Sequence, residues 1–213
     1  MPFLRKIIAI VVLTITAAVA GAPGTAAAKD EVHVYLMRGF LDVSTGLDDL
    51  AAKLKRRKIA AEITTYLAES DVAARALRDH KSNPAAQIVL IGHSLGANAA
   101  IHVAQTLQSA KVPVALIVVF SPAATNAVPG NVARAVNYYQ SDGIWNNPYS
   151  RGAGFKGSLR NVDLARDTSI HHLNIEKVTR LHNETIRAIT ALAGGQTEAA
   201  AAAGAASPPG PSK

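Results

Sequence analysis

The sequence predicts an α/β domain: a mostly parallel sheet with helices on both faces. Three observations predict it. Short apolar runs alternate with amphipathic segments along most of the chain. The runs AQIVLIG and VPVALIVVFS are apolar on both sides of the strand, as strands in the middle of a parallel sheet are. The composition, 49% hydrophobic and 17% charged over 213 residues, suits one globular domain with a sizeable core.

The chain opens outside that domain. MPFLRK is a short basic start, IIAIVVLTITAAVA is a short apolar run, and GAPGTAAA supplies small residues. That order is expected of a secretory signal peptide over residues 1–28, with cleavage after Ala28 or after Ala20. The apolar run is short for a membrane span. The expected address is the periplasm or the medium. There is no cysteine, so the core must be stable without disulfides, and a thiolate nucleophile or cysteine-held metal is excluded.

The elements then follow in order. Residues 31–37 read as a strand. Residues 44–58 read as a helix with Leu47, Leu50, Ala51 and Leu54 on one face; Ser44 is the expected cap, with Asp48 and Asp49 near the positive end. Residues 60–67 form a second strand and 70–81 a second helix, capped by Ser70. Residues 86–92 are a third strand, 95–109 a helix rich in small residues, and 112–121 the most apolar strand. Residues 133–141 and 159–165 add two strands, and 175–193 the closing helix. The domain therefore spans 29–193. Residues 194–213, rich in alanine, glycine and proline, have little to bury and read as a disordered tail.

The formal net charge is +7. Its densest run, KLKRRK at 53–58, reads as a solvated helix face. No nucleic-acid motif accompanies it, so nucleic acid is not an expected partner. Weak attraction to an anionic membrane surface or an acidic substrate is the charge-based expectation.

Gly92-His93-Ser94-Leu95-Gly96 lies between a strand and a helix and matches G-x-S-x-G. In that setting the serine sits on a sharp, strained turn. The glycines let strand and helix approach, the turn pushes the hydroxyl out of the sheet, and the helix N-terminus offers amides to a developing oxyanion. His93 reads as a packing or hydrogen-bonding residue of the corner, not as a base.

These residues resemble the α/β-hydrolase family, the lipase, esterase and thioesterase group, in a compact form without a large lid. The resemblance covers residues 29–193 in element order and is specific in sequence only around Ser94. It implies Ser94 as nucleophile, activated by a histidine that a carboxylate orients, in the chain order serine, acid, histidine. His172, in HLNI just before the closing helix, is the implied base, with His171 as the alternative. A metal pair, His171 and His172 with Glu176, lacks further ligands at a convincing spacing. Asp142, just after a strand, is the implied acid; Asp163 and Asp167 stand as alternatives. The oxyanion donors are expected from Leu95 and from the loop after the first strand, at Gly39 or Phe40. There Arg38-Gly39 replaces the His-Gly of many lipases, and Arg38 reads as pairing with a surface carboxylate.

The segment 121–131 is too short for a large cap. The loop 141–157 carries Trp145, Tyr149 and Phe155, and Trp145 and Tyr149 are the expected substrate-binding residues. The expected function is hydrolysis of a small or lipid-like acyl ester or thioester, without a cofactor. The alternative is a non-catalytic binding protein of the same fold.

Overall fold

The computed structural model describes residues 31–204, with side chains over residues 31–194. The signal segment and the end of the tail lie outside the described residues. Chain order is β1 (Val32–Arg38), α1 (Thr45–Arg56), β2 (Ala60–Thr65), α2 (Glu69–Ser82), β3 (Gln87–His93), α3 (Leu95–Ser109) and β4 (Leu116–Phe120). There follow β5 (Ala127–Val128), β6 (Arg134–Tyr139), β7 (Ser150–Arg151), β8 (Ser158–Asp163) and α4 (Thr179–Gly204).

Six strands make one sheet in the order β2-β1-β3-β4-β6-β8, every pair parallel. Register places Met37 beside Gly92 and His93 beside Phe120. A parallel sheet sends every strand's carboxyl end to the same edge, so all the βα loops gather there. The short strands β5 and β7 pair separately and tie the loop after β4 to the loop after β6.

Alternate strand residues feed two cores. Tyr35, Met37, Ile88 and Leu90 pack with Val72, Ala76, Ala97 and Ala100 of α2 and α3. Val34, Leu36, Val89 and Ile91 pack on the other face with Leu47, Leu50, Leu54 of α1 and Leu181, Ile189 of α4. Leu47, Leu50 and Leu54 are fully buried, each a gain of about 2 kcal/mol over an exposed side chain. The doubly apolar runs in the sequence thus became central strands, as their composition requires.

Three local expectations differ. Ser44 precedes α1 but caps nothing with its side chain; the hydroxyl is turned inward. Ser70 lies inside α2, because a 3-10 turn at Tyr66–Ala68 leads straight into a helix that begins at Glu69. The closing helix runs on to Gly204, into the segment read as tail; alanine is the strongest helix former and the run after Thr197 is nearly all alanine.

Candidate active site

The corner at Ser94 joins β3 to α3 and is left-handed, with φ 56° and ψ −122°. Outside glycine this geometry is sparsely populated, and it persists only where surrounding packing imposes it. The packing is visible at the flanking glycines. A Cβ on Gly92 would lie 2.1 Å from the Gly96 carbonyl oxygen, and one on Gly96 would lie 2.0 Å from that of Met37. Any side chain there would push α3 off β1 and β3. The Ser94 amide is fixed by the Phe120 carbonyl at 3.1 Å. The hydroxyl therefore emerges at the strand-carboxyl edge, above the N-terminus of α3, whose first N–H groups have no partner within the helix.

His172 reaches it from the segment between β8 and α4. Its Nε2 is 3.1 Å from Ser94 Oγ, and its Nδ1 is 2.7 Å from the Ser121 hydroxyl. With Nδ1–H donating to Ser121, Nε2 is left as acceptor for the Ser94 proton. The Trp145 indole stacks on the imidazole at 3.6 Å between centroids and 7° between planes. Burial, helped by the neighbouring His93 and His171, pushes the His172 pKa down to about 4.

No carboxylate touches His172 among the described residues. Asp142 is exposed. Asp163 accepts from the Ser141 amide and hydroxyl and from the Ala165 amide. Asp167 accepts from Ser169 and pairs with Arg180 at 3.6 Å. Each is engaged by other partners or left in solvent. The atom against Nδ1 is instead Ser121 Oγ. Ser121 follows β4, is fully buried, has φ 43°, and is held by its amide on the Tyr138 carbonyl at 2.7 Å. Reasoning from sequence missed it. The available signal was a polar residue closing the most apolar strand, the same pattern that marks Ser94.

His93 has a structural post. Its Nε2 lies 2.8 Å from the His172 carbonyl, which can only accept, so Nε2 carries the proton and Nδ1 accepts from the Ser44 hydroxyl at 2.7 Å. Ser44 Oγ in turn accepts the Gly39 N–H at 2.9 Å. One chain of hydrogen bonds thus links the loop after β1, the corner and the base segment. Burial pushes His93 to a pKa of about 4, keeping it neutral.

That chain bears on the oxyanion donors. The Gly39 N–H is used by Ser44, which leaves Phe40 as the donor candidate in this loop and Leu95, the first residue of α3, as the other. Gly39 packs against the corner itself; a Cβ there would lie 2.8 Å from Ser94 Cβ. Arg38 pairs with Asp48, Nη2 to Oδ1 at 2.5 Å, the carboxylate partner expected of it.

One further expectation is corrected. Tyr149 is buried, with its hydroxyl donating to the Ala97 carbonyl at 3.3 Å; it is core beneath α3, not a pocket wall. His182 is fully buried, and its Nε2–H donates to the Glu176 carbonyl at 2.6 Å. His171 is exposed and contributes only main-chain bonds to Asn174 and Ile175. His102, also exposed, pairs with Glu69 at 2.9 Å.

A strained serine corner on a wholly parallel sheet with an imidazole on its hydroxyl defines a serine-hydrolase-type α/β protein. A family model described as serine hydrolase matches residues 49–142, a stretch that holds Ser94 and Ser121 and ends before His172. The matched stretch and the parallel sheet make the chain similar to the α/β hydrolases. Among solved structures it is similar to a cutinase-like protein from Cryptococcus sp., at 13% identity over 78% of this chain and 94% of that one, TM-score 0.45. It is similar to a putative hydrolase of the alpha/beta superfamily from Xanthomonas campestris, at 20% identity over 78% and 98%, TM-score 0.37. An acetylxylan esterase aligns at 13% identity over 78% and 99%, TM-score 0.47. No curated protein matches the sequence.

Proposed function

We propose that the protein is an exported serine hydrolase that cleaves carboxylic esters or thioesters through an acyl-enzyme on Ser94. The observation that carries this reading is the 3.1 Å approach of His172 Nε2 to a hydroxyl on a strained corner over a helix N-terminus. Export rests on the signal-like start of the sequence alone.

Ser94 Oγ attacks the acyl carbonyl as its proton passes to His172 Nε2. The Leu95 and Phe40 amides receive the oxyanion; one such donor contributes about 3 kcal/mol to lowering the barrier. The imidazolium returns the proton to the departing alkoxide or thiolate. Water then attacks the acyl-enzyme by the same route in reverse.

An apolar acyl group is supported by the surroundings. The exposed large hydrophobics among the described residues are Phe40, Leu41, Val43, Leu67, Ile144 and Leu173. All six lie on segments that follow strand ends, on the edge where Ser94 opens. Leu95, next to Ser94, lines a groove with Tyr66, Leu67, Glu69, Asn98 and His102.

A second reading, a binding protein that keeps the fold without turnover, is favoured by one observation: His172 lacks a carboxylate partner among the described residues. A fluorophosphonate probe separates the two. The hydrolase reading expects the wild type to be labelled, Ser94→Ala to be unlabelled, and p-nitrophenyl esters of graded acyl length to be turned over. A folded wild type that neither labels nor turns over any ester overturns it.

A further inference from the structure

We infer that Ser121 and Trp145 together take the place of the orienting carboxylate: Ser121 sets the tautomer of His172 and Trp145 stabilises its charged form. The inference rests on the reading of Ser94 and His172 as nucleophile and base.

A carboxylate does two things for such an imidazole. It accepts the Nδ1 proton, which turns the Nε2 lone pair to the serine, and its charge stabilises the imidazolium formed during attack. Here the tasks fall on separate groups. Ser121 Oγ, at 2.7 Å from Nδ1, can accept the proton and fix the tautomer. Its position is rigid, since the residue is fully buried and its amide is bonded to the Tyr138 carbonyl. A hydroxyl carries no net charge, however, so it leaves the imidazolium without an ionic partner.

The group that meets the ring face is Trp145, in near-parallel contact at 3.6 Å. An indole face carries negative quadrupolar potential and attracts a cation laid over it, more strongly where water is excluded. The stack is anchored. Asn147, two residues on, donates from Nδ2 to the Pro122 carbonyl at 2.9 Å, and its own carbonyl accepts from Asn137 Nδ2 at 2.9 Å. Asn147 therefore ties the Trp145 loop to the corner that carries Ser121, and the two supports of His172 are held as one unit.

The other titratable groups around the ring do not supply the missing charge. His93 lies 4.8 Å away between centroids and is kept neutral by burial. His171 is exposed beside it. Glu176 is buried beside His93, its Oε2 3.9 Å from the Nε2 that donates to the His172 carbonyl and its other oxygen 3.8 Å from Lys177 Nζ, and it makes no hydrogen bond to the His172 ring.

The test is the pH dependence of Ser94 labelling and of p-nitrophenyl acetate hydrolysis in variants of the full mature chain. Trp145→Leu keeps an apolar cover over His172 but removes the ring face. It is expected to lower kcat about tenfold and to move the acidic limb to lower pH, because the imidazolium loses its partner. Trp145→Phe retains a face and is expected to lie between. Ser121→Ala is expected to lower kcat with KM little changed. Ser121→Asp supplies the absent charge and is expected to move the acidic limb upward by a unit or more. If Trp145 is only a wall for substrate, Trp145→Leu changes KM and leaves the limb in place, which overturns its role. If Asp142→Asn abolishes hydrolysis while Ser121→Ala does not, the acid is Asp142 and the inference falls. Either outcome leaves Ser94 labelled in the wild type, so the hydrolase reading survives it; loss of wild-type labelling removes both.

Discussion

His93 Nε2 donates to the main-chain carbonyl of His172 at 2.8 Å, so the residue beside Ser94 holds the backbone of the histidine that meets the Ser94 hydroxyl. The Ser94 corner and the His172 segment are thereby one mechanical unit, extended through Ser44 to Gly39.

That bond ties stability to pH. His93 and His172 are both held near pKa 4 by burial, below the ordinary histidine value of 6.5. A depressed histidine pKa means that the unfolded chain takes up the proton first. The contribution is therefore complete above about pH 6.5 and is lost as pH falls from there toward 4. Thermal melts across this window should show a falling Tm for the wild type. His93→Gln, which cannot titrate, should start lower at neutral pH and fall less steeply. An equally steep fall in the variant would remove His93 from the account.

The Ser94 backbone carries its own prediction. At φ 56° and ψ −122° a Cβ is strained and glycine is not. Ser94→Gly should be inactive yet more stable than Ser94→Ala by about 1 kcal/mol. For a chain of this size that is a Tm higher by roughly 2–4 °C. Equal melting of the two variants argues against strain at the corner.

Gly39 and Gly96 separate function from folding. A Cβ on Gly39 meets Ser94 Cβ at 2.8 Å and the His93 carbonyl at 3.0 Å, so Gly39→Ala displaces the loop that bears Phe40. Labelling should slow about a hundredfold, the loss typical of one oxyanion donor, with a modest change in Tm. Gly96→Ala meets the Met37 main chain at 2.0 Å and should lower Tm far more, because α3 must leave the sheet. Reversal of this order would place Gly39 outside the site.

Leu41 and Ile144 stand 74% and 87% exposed at the site's edge. Replacing both by serine should leave hydrolysis of p-nitrophenyl acetate near wild type. For long acyl chains kcat/KM should fall about tenfold, in line with ~25 cal/mol per Å² of lost apolar contact. Uniform behaviour across chain lengths would mean that the acyl group does not cross this rim.

The sheet was legible because its cause is local. Ile88, Val89, Leu90 and Ile91 are each at most 1% exposed, so burial on both faces wrote itself into a continuous apolar run. The corner was legible for the same reason: Gly92 and Gly96 answer to contacts that no side chain could share. The partner of His172 was not. Ser121 meets it across 51 residues of sequence, and such a contact is set by which loops the strand order brings together. Asp142 follows β6 as expected, but its loop carries the carboxylate into solvent. Ser44 shows the same limit, since a helix-capping residue by position is a buried relay by contact.

Trp145 is the single tryptophan of the chain. Selective excitation of indole therefore reads one ring, and that ring lies flat on His172. Imidazolium quenches indole emission by contact while neutral imidazole does so weakly, so the protein holds its own optical gauge of the proton on His172. A fluorescence titration, or a stopped-flow trace during acylation, reports that proton with no label attached.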